Sequence, residues 1–228
     1  MQMRNVPMIY HETEHGTIYC GDCLDILPTL ADKSIDLVLT DPPYGINLEY
    51  EGYQDTSENW YALMNKFIPE AKRVGKMIIM PSCKIYMMKW FYDNHPPDWL
   101  ICWYKGSVGH NSFIGFNDWE PHLVYGKTKT NLCMHDYFQT QSSPKKGSLG
   151  HPCPKPVAWA AWIVTRATVE ADIILDPFAG SGTTAIACIR YKRKYILIEK
   201  EEKYCEIAAK RIETELEQTD IFRDMTCR

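Results

Sequence analysis

No run of apolar residues in this chain approaches the roughly 20 needed to cross a bilayer; the longest are strand-length. The opening residues, Met1-Gln2-Met3-Arg4-Asn5, lack the apolar core of a signal peptide. Both absences predict a soluble cytoplasmic protein. An excess of positive charge is missing too: the net charge is −4, which by itself does not suggest a nucleic-acid binder. Cys20 and Cys23 form a C-x-x-C, but no second pair and no clustered histidine completes a metal site, so no metal is expected. The nine cysteines are odd in number and scattered through apolar segments, where thiols act as small hydrophobes. Two phosphate-binding signatures are absent from the glycine turn at 176–184. Ala185 stands where a nicotinamide fingerprint needs its third glycine, and the turn has no Gly-Lys-Ser/Thr.

What is present is an alternation of short apolar runs and helical patterns. Runs at 17–20, 35–40, 76–80, 100–104, 121–125, 172–176 and 195–199 read as strands. Between them, Trp60, Leu63, Met64, Phe67, Ile68 and Ala71 recur at three- and four-residue spacing, and helices are also expected at 23–30, 86–92, 157–168, after Gly182, and over 201–218. Such alternation predicts an α/β fold, a mostly parallel seven-stranded sheet covered on both faces. The pair 100–104 and 121–125 would add an antiparallel hairpin at its edge. All 228 residues fit one domain. The stretch from Gly126 to Gly150 is the least core-like and reads as an insertion or recognition loop region, within a recognition insertion of about 105–150. Charge is unevenly spread: residues 101–160 carry six lysines against three acids, +3, which leaves −7 for the rest. A basic middle on an acidic body is compatible with phosphate contacts.

Asp41-Pro42-Pro43-Tyr44 follows the strand at 35–40. In open α/β sheets this edge is where ligands bind. The prolines fix φ and remove two donors while keeping their carbonyls. The Asp41 carboxylate and the Pro42 carbonyl are then rigid acceptors beside one stacking ring, a set suited to a planar group with an N–H₂ to donate. A second candidate half is Asp176-Pro177-Phe178-Ala179-Gly180-Ser181-Gly182-Thr183-Thr184, between a strand and a helix. Glycines there allow close backbone approach. One strand on, Glu199 is placed to accept from ribose hydroxyls. A nucleoside without a diphosphate fits this pattern.

Segment 176–184 resembles the D-P-F-x-G-S-G-T motif of S-adenosylmethionine-dependent methyltransferases, and Asp41–Tyr44 resembles the D-P-P-Y motif of those that methylate exocyclic amines in DNA. His151-Pro152-Cys153-Pro154-Lys155-Pro156 is similar to the H-P-x-x-K-P motif of one subgroup, although Cys153-Pro154 stands where relatives often carry Thr-Gln. The order of the three motifs resembles that of the circularly permuted β-class amino-methyltransferases. The resemblance implies a Rossmann-like methyltransferase fold, S-adenosylmethionine as cofactor and duplex DNA as substrate. Asp41, Pro42, Pro43 and Tyr44 would be catalytic, with Tyr44 stacking on an extruded base. Asp22, His151, Lys155, Asp176, Phe178, Gly180, Ser181, Gly182, Thr183 and Glu199 would hold the cofactor: Asp22 its adenine amine, Glu199 its ribose, Lys155 its methionine end. D-P-P-Y in this family usually accompanies adenine N6; cytosine N4, an RNA adenine, or an inert binding subunit are the alternatives. Within 105–150, which would recognise the target, Lys127, Lys129, Lys145 and Lys146 are candidate phosphate contacts, and Asn111, Asn117, Asn131 and Gln139 candidate base readers. The chain is expected as monomer or homodimer, with any restriction endonuclease a separate chain.

Overall fold

A computed structural model of the chain describes residues 8–50, 52–82, 85–105, 118–130, 135–140 and 154–226. In chain order the strands are β1 (Met8–Thr13), β2 (Gly16–Cys20), β3 (Leu37–Leu39), β4 (Glu49–Tyr50), β5 (Tyr53–Gln54), β6 (Ile78–Pro81), β7 (Trp99–Tyr104), β8 (Trp119–Tyr125), β9 (Tyr137–Gln139), β10 (Ile173–Asp176) and β11 (Lys194–Glu199). The helices are α1 (Cys23–Ile26), continued by a 3₁₀ turn, α2 (Ser57–Val74), α3 (Ile85–Asn94), α4 (Val157–Ala167), α5 (Thr183–Arg190) and α6 (Glu202–Thr226).

Among the described residues nine strands form one sheet in the order β1-β2-β11-β10-β3-β6-β8-β7-β9, and β4 pairs with β5 in a separate hairpin. The five from β2 to β6 are mutually parallel. Their side chains alternate between two covered faces, as the period of two demands. Leu37, Leu39, Ile174 and Leu197 join the cluster under α4, α5 and α6, while Val38, Leu175 and Ile198 join the one under α1, α2 and α3. Helix α2 begins at Thr56, whose hydroxyl accepts from Asn59 N at 3.3 Å. Its Trp60, Met64, Phe67, Ile68 and Ala71 are fully buried, the spacing that its sequence shows.

The sheet differs from expectation at both ends: nine strands among the described residues rather than seven. Residues 8–13, weakly patterned in sequence, form β1 because the tight turn at 14–15 folds them back on β2 in antiparallel register. At the other end β7 and β8 are antiparallel to each other, as expected, but do not form the edge. Strand β9 pairs parallel with β7 beyond them. Phe138 is the cause: its ring stacks on Trp103 at 5.8 Å and on Trp162 at 4.5 Å, and is buried there. Part of the stretch read as an insertion therefore belongs to the sheet.

Phe138→Ala should cost roughly 3–5 kcal/mol, the usual figure for emptying a buried phenylalanine site. Urea unfolding measures it; a cost under about 1 kcal/mol would show that β9 is not part of the cooperative core.

Candidate active site

The C-terminal ends of the parallel strands converge on one cavity of about 490 Å³, within the range of small-molecule sites. Asp22 after β2, Asp41 after β3, Phe178 and Gly180 after β10, Glu199 at the end of β11 and Lys155 before α4 all line it.

Asp176, at the last position of β10, is almost fully buried. One carboxylate oxygen accepts from Thr40 Oγ1 at 2.8 Å and Phe178 N at 3.2 Å; the other accepts from Thr184 Oγ1 at 2.6 Å. Burial pushes its carboxyl up to about 6 against these donors. Glu199 clamps the facing turn, accepting from Gly180 N at 2.8 Å and from Glu201 N at 2.9 Å. Burial raises this carboxyl too. Gly180 adopts φ +49°, a conformation open to glycine. Asp22 caps α1 by accepting from Leu24 N at 3.0 Å, and Lys200 Nζ lies 3.3 Å from its other oxygen. Ser181 lines the cavity while Arg211 holds its carbonyl and hydroxyl, and Thr183 Oγ1 donates to the Lys155 carbonyl at 3.1 Å.

Gly182 departs from the expected ligand contact. It has φ +77°, and a Cβ there would lie 2.8 Å from Ala208 Cβ. It seats the start of α5 against α6 and is not among the cavity walls.

The catalytic candidates follow β3. Asp41 and Pro43 line the cavity, and Pro42 is buried. The segment is held from behind: Tyr86 Oη donates to the carbonyls of Tyr44 at 2.8 Å and Gly45 at 3.1 Å. Asp55 accepts from the backbone N–H groups of Gly45, Ile46 and Leu48 at 2.6, 3.1 and 3.2 Å. Gly45 needs its φ of +64°, since a Cβ would meet Trp60 Cβ at 2.9 Å.

Tyr44 is 7% exposed, less open than a stacking platform was expected to be. Its hydroxyl bonds an Asp41 carboxylate oxygen and lies 3.0 Å from Glu120 Oε1, its one proton serving one acceptor at a time. The Lys155 ammonium lies at the hydroxyl end of the Tyr44 ring, 5.4 Å from its centroid. That ammonium lies 3.1 Å from Tyr44 Oη, 3.2 Å from Asp41 Oδ2 and 3.7 Å from Glu120 Oε1. Lys155 thus reaches the Asp41 carboxylate.

Glu120 is a site residue that sequence reasoning passed over as one acid in a charge balance. It is 4% exposed, and Lys105 Nζ donates to its Oε2 at 2.8 Å. The signal was there: an acid inside Trp119-Glu120-Pro121-His122-Leu123, an otherwise largely apolar strand, needs buried partners. Burial opposes its charge, but Lys155 and Lys105 overrule it and hold the carboxyl at about 2. Burial pushes the Asp41 carboxyl up, with Lys155 pulling down and Glu120 pushing further up. Beneath them, burial holds His122 down at about 4. Trp159 Nε1 donates to its Nε2 at 2.6 Å, so the neutral ring carries its proton on Nδ1, 3.3 Å from the Glu120 carbonyl.

Lys127 and Lys129 do not reach this cavity. Strand β8 runs antiparallel to β6 and carries the chain from Glu120 at the cavity edge to Tyr125 beside Ile78, at the opposite edge. There Lys129 Nζ lies 2.7 Å from Asp36 and 2.9 Å from Asp172, a pair of carboxylates that takes up its charge. Neither lysine is placed for a phosphate contact beside the site. Gln139 lies in β9, on the far side of β7. Lys145, Lys146, His151, Asn111, Asn117 and Asn131 lie outside the described residues.

Glu120 carries a pH prediction. Its folded value of about 2 lies below the ordinary 4.5, so its contribution to stability is present above pH 4.5 and is lost as pH falls toward 2. Glu120→Gln should therefore cost roughly 3 kcal/mol at pH 7, with the deficit shrinking steadily below pH 4.5. Urea unfolding between pH 7 and pH 3 tests this; a deficit independent of pH would mean that the charge contributes nothing.

Comparison with known proteins agrees with this geometry. The model of the N6_N4_Mtase family, described as DNA methylase, matches residues 35–210. The chain is 27% identical over 250 residues to the DNA adenine methyltransferase YhdJ of Escherichia coli K12, covering 88% of this chain and 83% of that one. Among solved structures, the PvuII DNA methyltransferase (cytosine-N4-specific) superimposes with a TM-score of 0.69 at 19% identity, over 95% of this chain and 94% of the other. The M1.HpyAVI-SAM complex does so with 0.62 at 24% identity, over 86% and 98%. These likenesses place the sheet and its helices in the Rossmann-like methyltransferase fold. With more than half its length matched by the family model, this chain belongs to the DNA methylase family.

Proposed function

We propose that the protein transfers a methyl group from S-adenosylmethionine to N6 of adenine in a specific sequence of duplex DNA. The observation that carries the reading is the opening of Asp41 into the same cavity as the 176–183 turn and Glu199. A methyl acceptor and a methyl donor then share one space.

The walls suit the cofactor. Asp22 and Glu199 offer carboxylates to an adenine amine and ribose hydroxyls, Phe178 an aromatic edge, and Gly180 a backbone open to close approach. Asp176 shapes the turn, its oxygens already engaged by Thr40, Thr184 and Phe178. Ser181 and Thr183 tie that turn to α6 and to Lys155. The bound sulfonium would supply an activated methyl group, carried over by direct in-line displacement.

The amine of adenine is a weak nucleophile because its lone pair is delocalised into the ring. Asp41 and the Pro42 carbonyl accept its two N–H bonds and favour a pyramidal nitrogen, and their stabilisation grows as positive charge develops. Alignment carries much of the rest. Asp41 takes the proton once the nitrogen has gained its methyl. The base must leave the duplex to reach this depth, at a cost of about a few kcal/mol. The aspartate of the motif and the adenine-methylating relative YhdJ support adenine; the order of the motifs supports the permuted class. Target recognition belongs in this reading to the stretch around 105–150.

Labelled methyl from S-adenosylmethionine, incubated with mixed-sequence duplex DNA or with RNA and digested to nucleosides, should appear in N6-methyl-2′-deoxyadenosine from the DNA. Label in N4-methyl-2′-deoxycytidine would overturn the choice of base; label in the RNA incubation alone would overturn the substrate. Asp41→Ala should lower transfer roughly 100- to 1,000-fold with cofactor affinity nearly unchanged. Loss of cofactor binding in that variant would place Asp41 in the cofactor's half of the site.

A further inference from the structure

Two demands on Asp41 conflict. In the proposed reaction its carboxylate accepts from the target amine. In the structure that carboxylate is already taken: the Lys155 ammonium is 3.2 Å from Asp41 Oδ2, and the Tyr44 hydroxyl bonds the other oxygen. The base cannot settle against Asp41 until that ammonium moves, and a largely shielded cation leaving its carboxylate needs another anion to go to.

One is within reach. Glu120 Oε1 lies 3.7 Å from the same ammonium, about half an ångström farther than Asp41. Glu120 itself is fixed. It sits in β8, paired with Trp103 of β7, and Lys105 holds its other oxygen at 2.8 Å. Lys155 differs: its carbonyl is anchored by Thr183, but its charge rides on a flexible four-carbon stem. A small swing of that stem exchanges Asp41 for Glu120 without moving the backbone. Glu120 is also the stronger anion of the two, since Lys155 and Lys105 keep it ionised against its burial while burial biases Asp41 toward protonation.

We propose that Glu120 is a positioning residue that takes the Lys155 ammonium over from Asp41 when the target base enters, leaving Asp41 free to accept the base's amine. This rests on the methyltransferase reading above, and on the adjacency of two carboxylates around one ammonium. Glu120 does not touch the reacting atoms; it acts through Lys155. Lys105 has a supporting part, keeping Glu120 oriented while Lys155 is elsewhere.

The test is a double-mutant cycle of Glu120→Gln and Lys155→Met, read in two ways. The first is the titration of the Asp41 carboxyl, followed by its ¹³C resonance in the protein without DNA. Removing the Glu120 charge lowers Asp41 in any background. With Lys155 present, Asp41 no longer shares that ammonium with Glu120, so the fall should be larger than in Lys155→Met by roughly one pH unit. The second is single-turnover methyl transfer. Glu120→Gln should slow it about 100-fold in the presence of Lys155 and no more than about threefold in the Lys155→Met background, with cofactor affinity unchanged. Glu120→Asp, which keeps the charge, should recover most of the loss. Equal falls of the Asp41 titration in both backgrounds would overturn the proposal whatever the activity, as would equal losses of transfer. A wild-type protein that methylates no DNA, but whose Asp41 titration shows the unequal falls, would sink the proposed reaction and leave the Glu120–Lys155 exchange standing.

Discussion

Much of this site depends on one buried carboxylate. Asp176 accepts from Thr40 at the end of β3 with one oxygen and from Thr184 in the first turn of α5 with the other. The first bond joins the strand that carries Asp41 to the strand that carries the glycine turn. The second bends that turn into its helix. A residue placed to look like a cofactor ligand is thereby the clasp between the two halves of the site. Its burial is tolerated because three donors converge on it, although the rise of its carboxyl to about 6 shows that burial still outweighs them in setting its acidity.

The second constraint is the direction of β8. Five parallel strands send their C-terminal ends to one edge, where α/β proteins bind ligands. Strand β8 runs the other way. Its first residues therefore lie at the ligand edge and its last at the opposite one. That reversal brings Glu120 against Tyr44 and Lys155, and carries Lys127 and Lys129 away toward Asp36 and Asp172. The basic middle of the sequence is thus divided between two edges. Lys105 and Lys155 neutralise buried acid at one, and Lys129 neutralises acid at the other. Its local positive balance largely reflects internal pairing where the structure describes it.

Both carboxylates of the catalytic half, the buried Glu120 and the partly exposed Asp41, gather about the ammonium of Lys155. Glu120 could not stay charged alone at its depth. Their different environments split their acidities in opposite directions, which suits one for a permanent charge and the other for accepting a proton.

Local order was legible in the sequence. The apolar positions of α2, the apolar runs of the central strands, the turn at 176–184 and the motif at Asp41–Tyr44 are all set by neighbours within a few residues, and the helix and strands lie where those patterns placed them. The family resemblance identified the two halves of the cavity from the same short segments. Tertiary structure alone decided the rest. Residues 8–13 became a strand by pairing with β2, and 137–139 by burying Phe138 against Trp103 and Trp162. Gly182, alike in sequence to Gly180, was turned toward Ala208 rather than the cavity. Glu120 found Tyr44 at a separation of 76 residues, and Lys155 found Asp41 across 114. No local rule reaches that far: a period of two or 3.6 says which face a side chain takes, while its partner across the sheet depends on strand order and direction, and these follow from how the whole chain buries its two apolar faces.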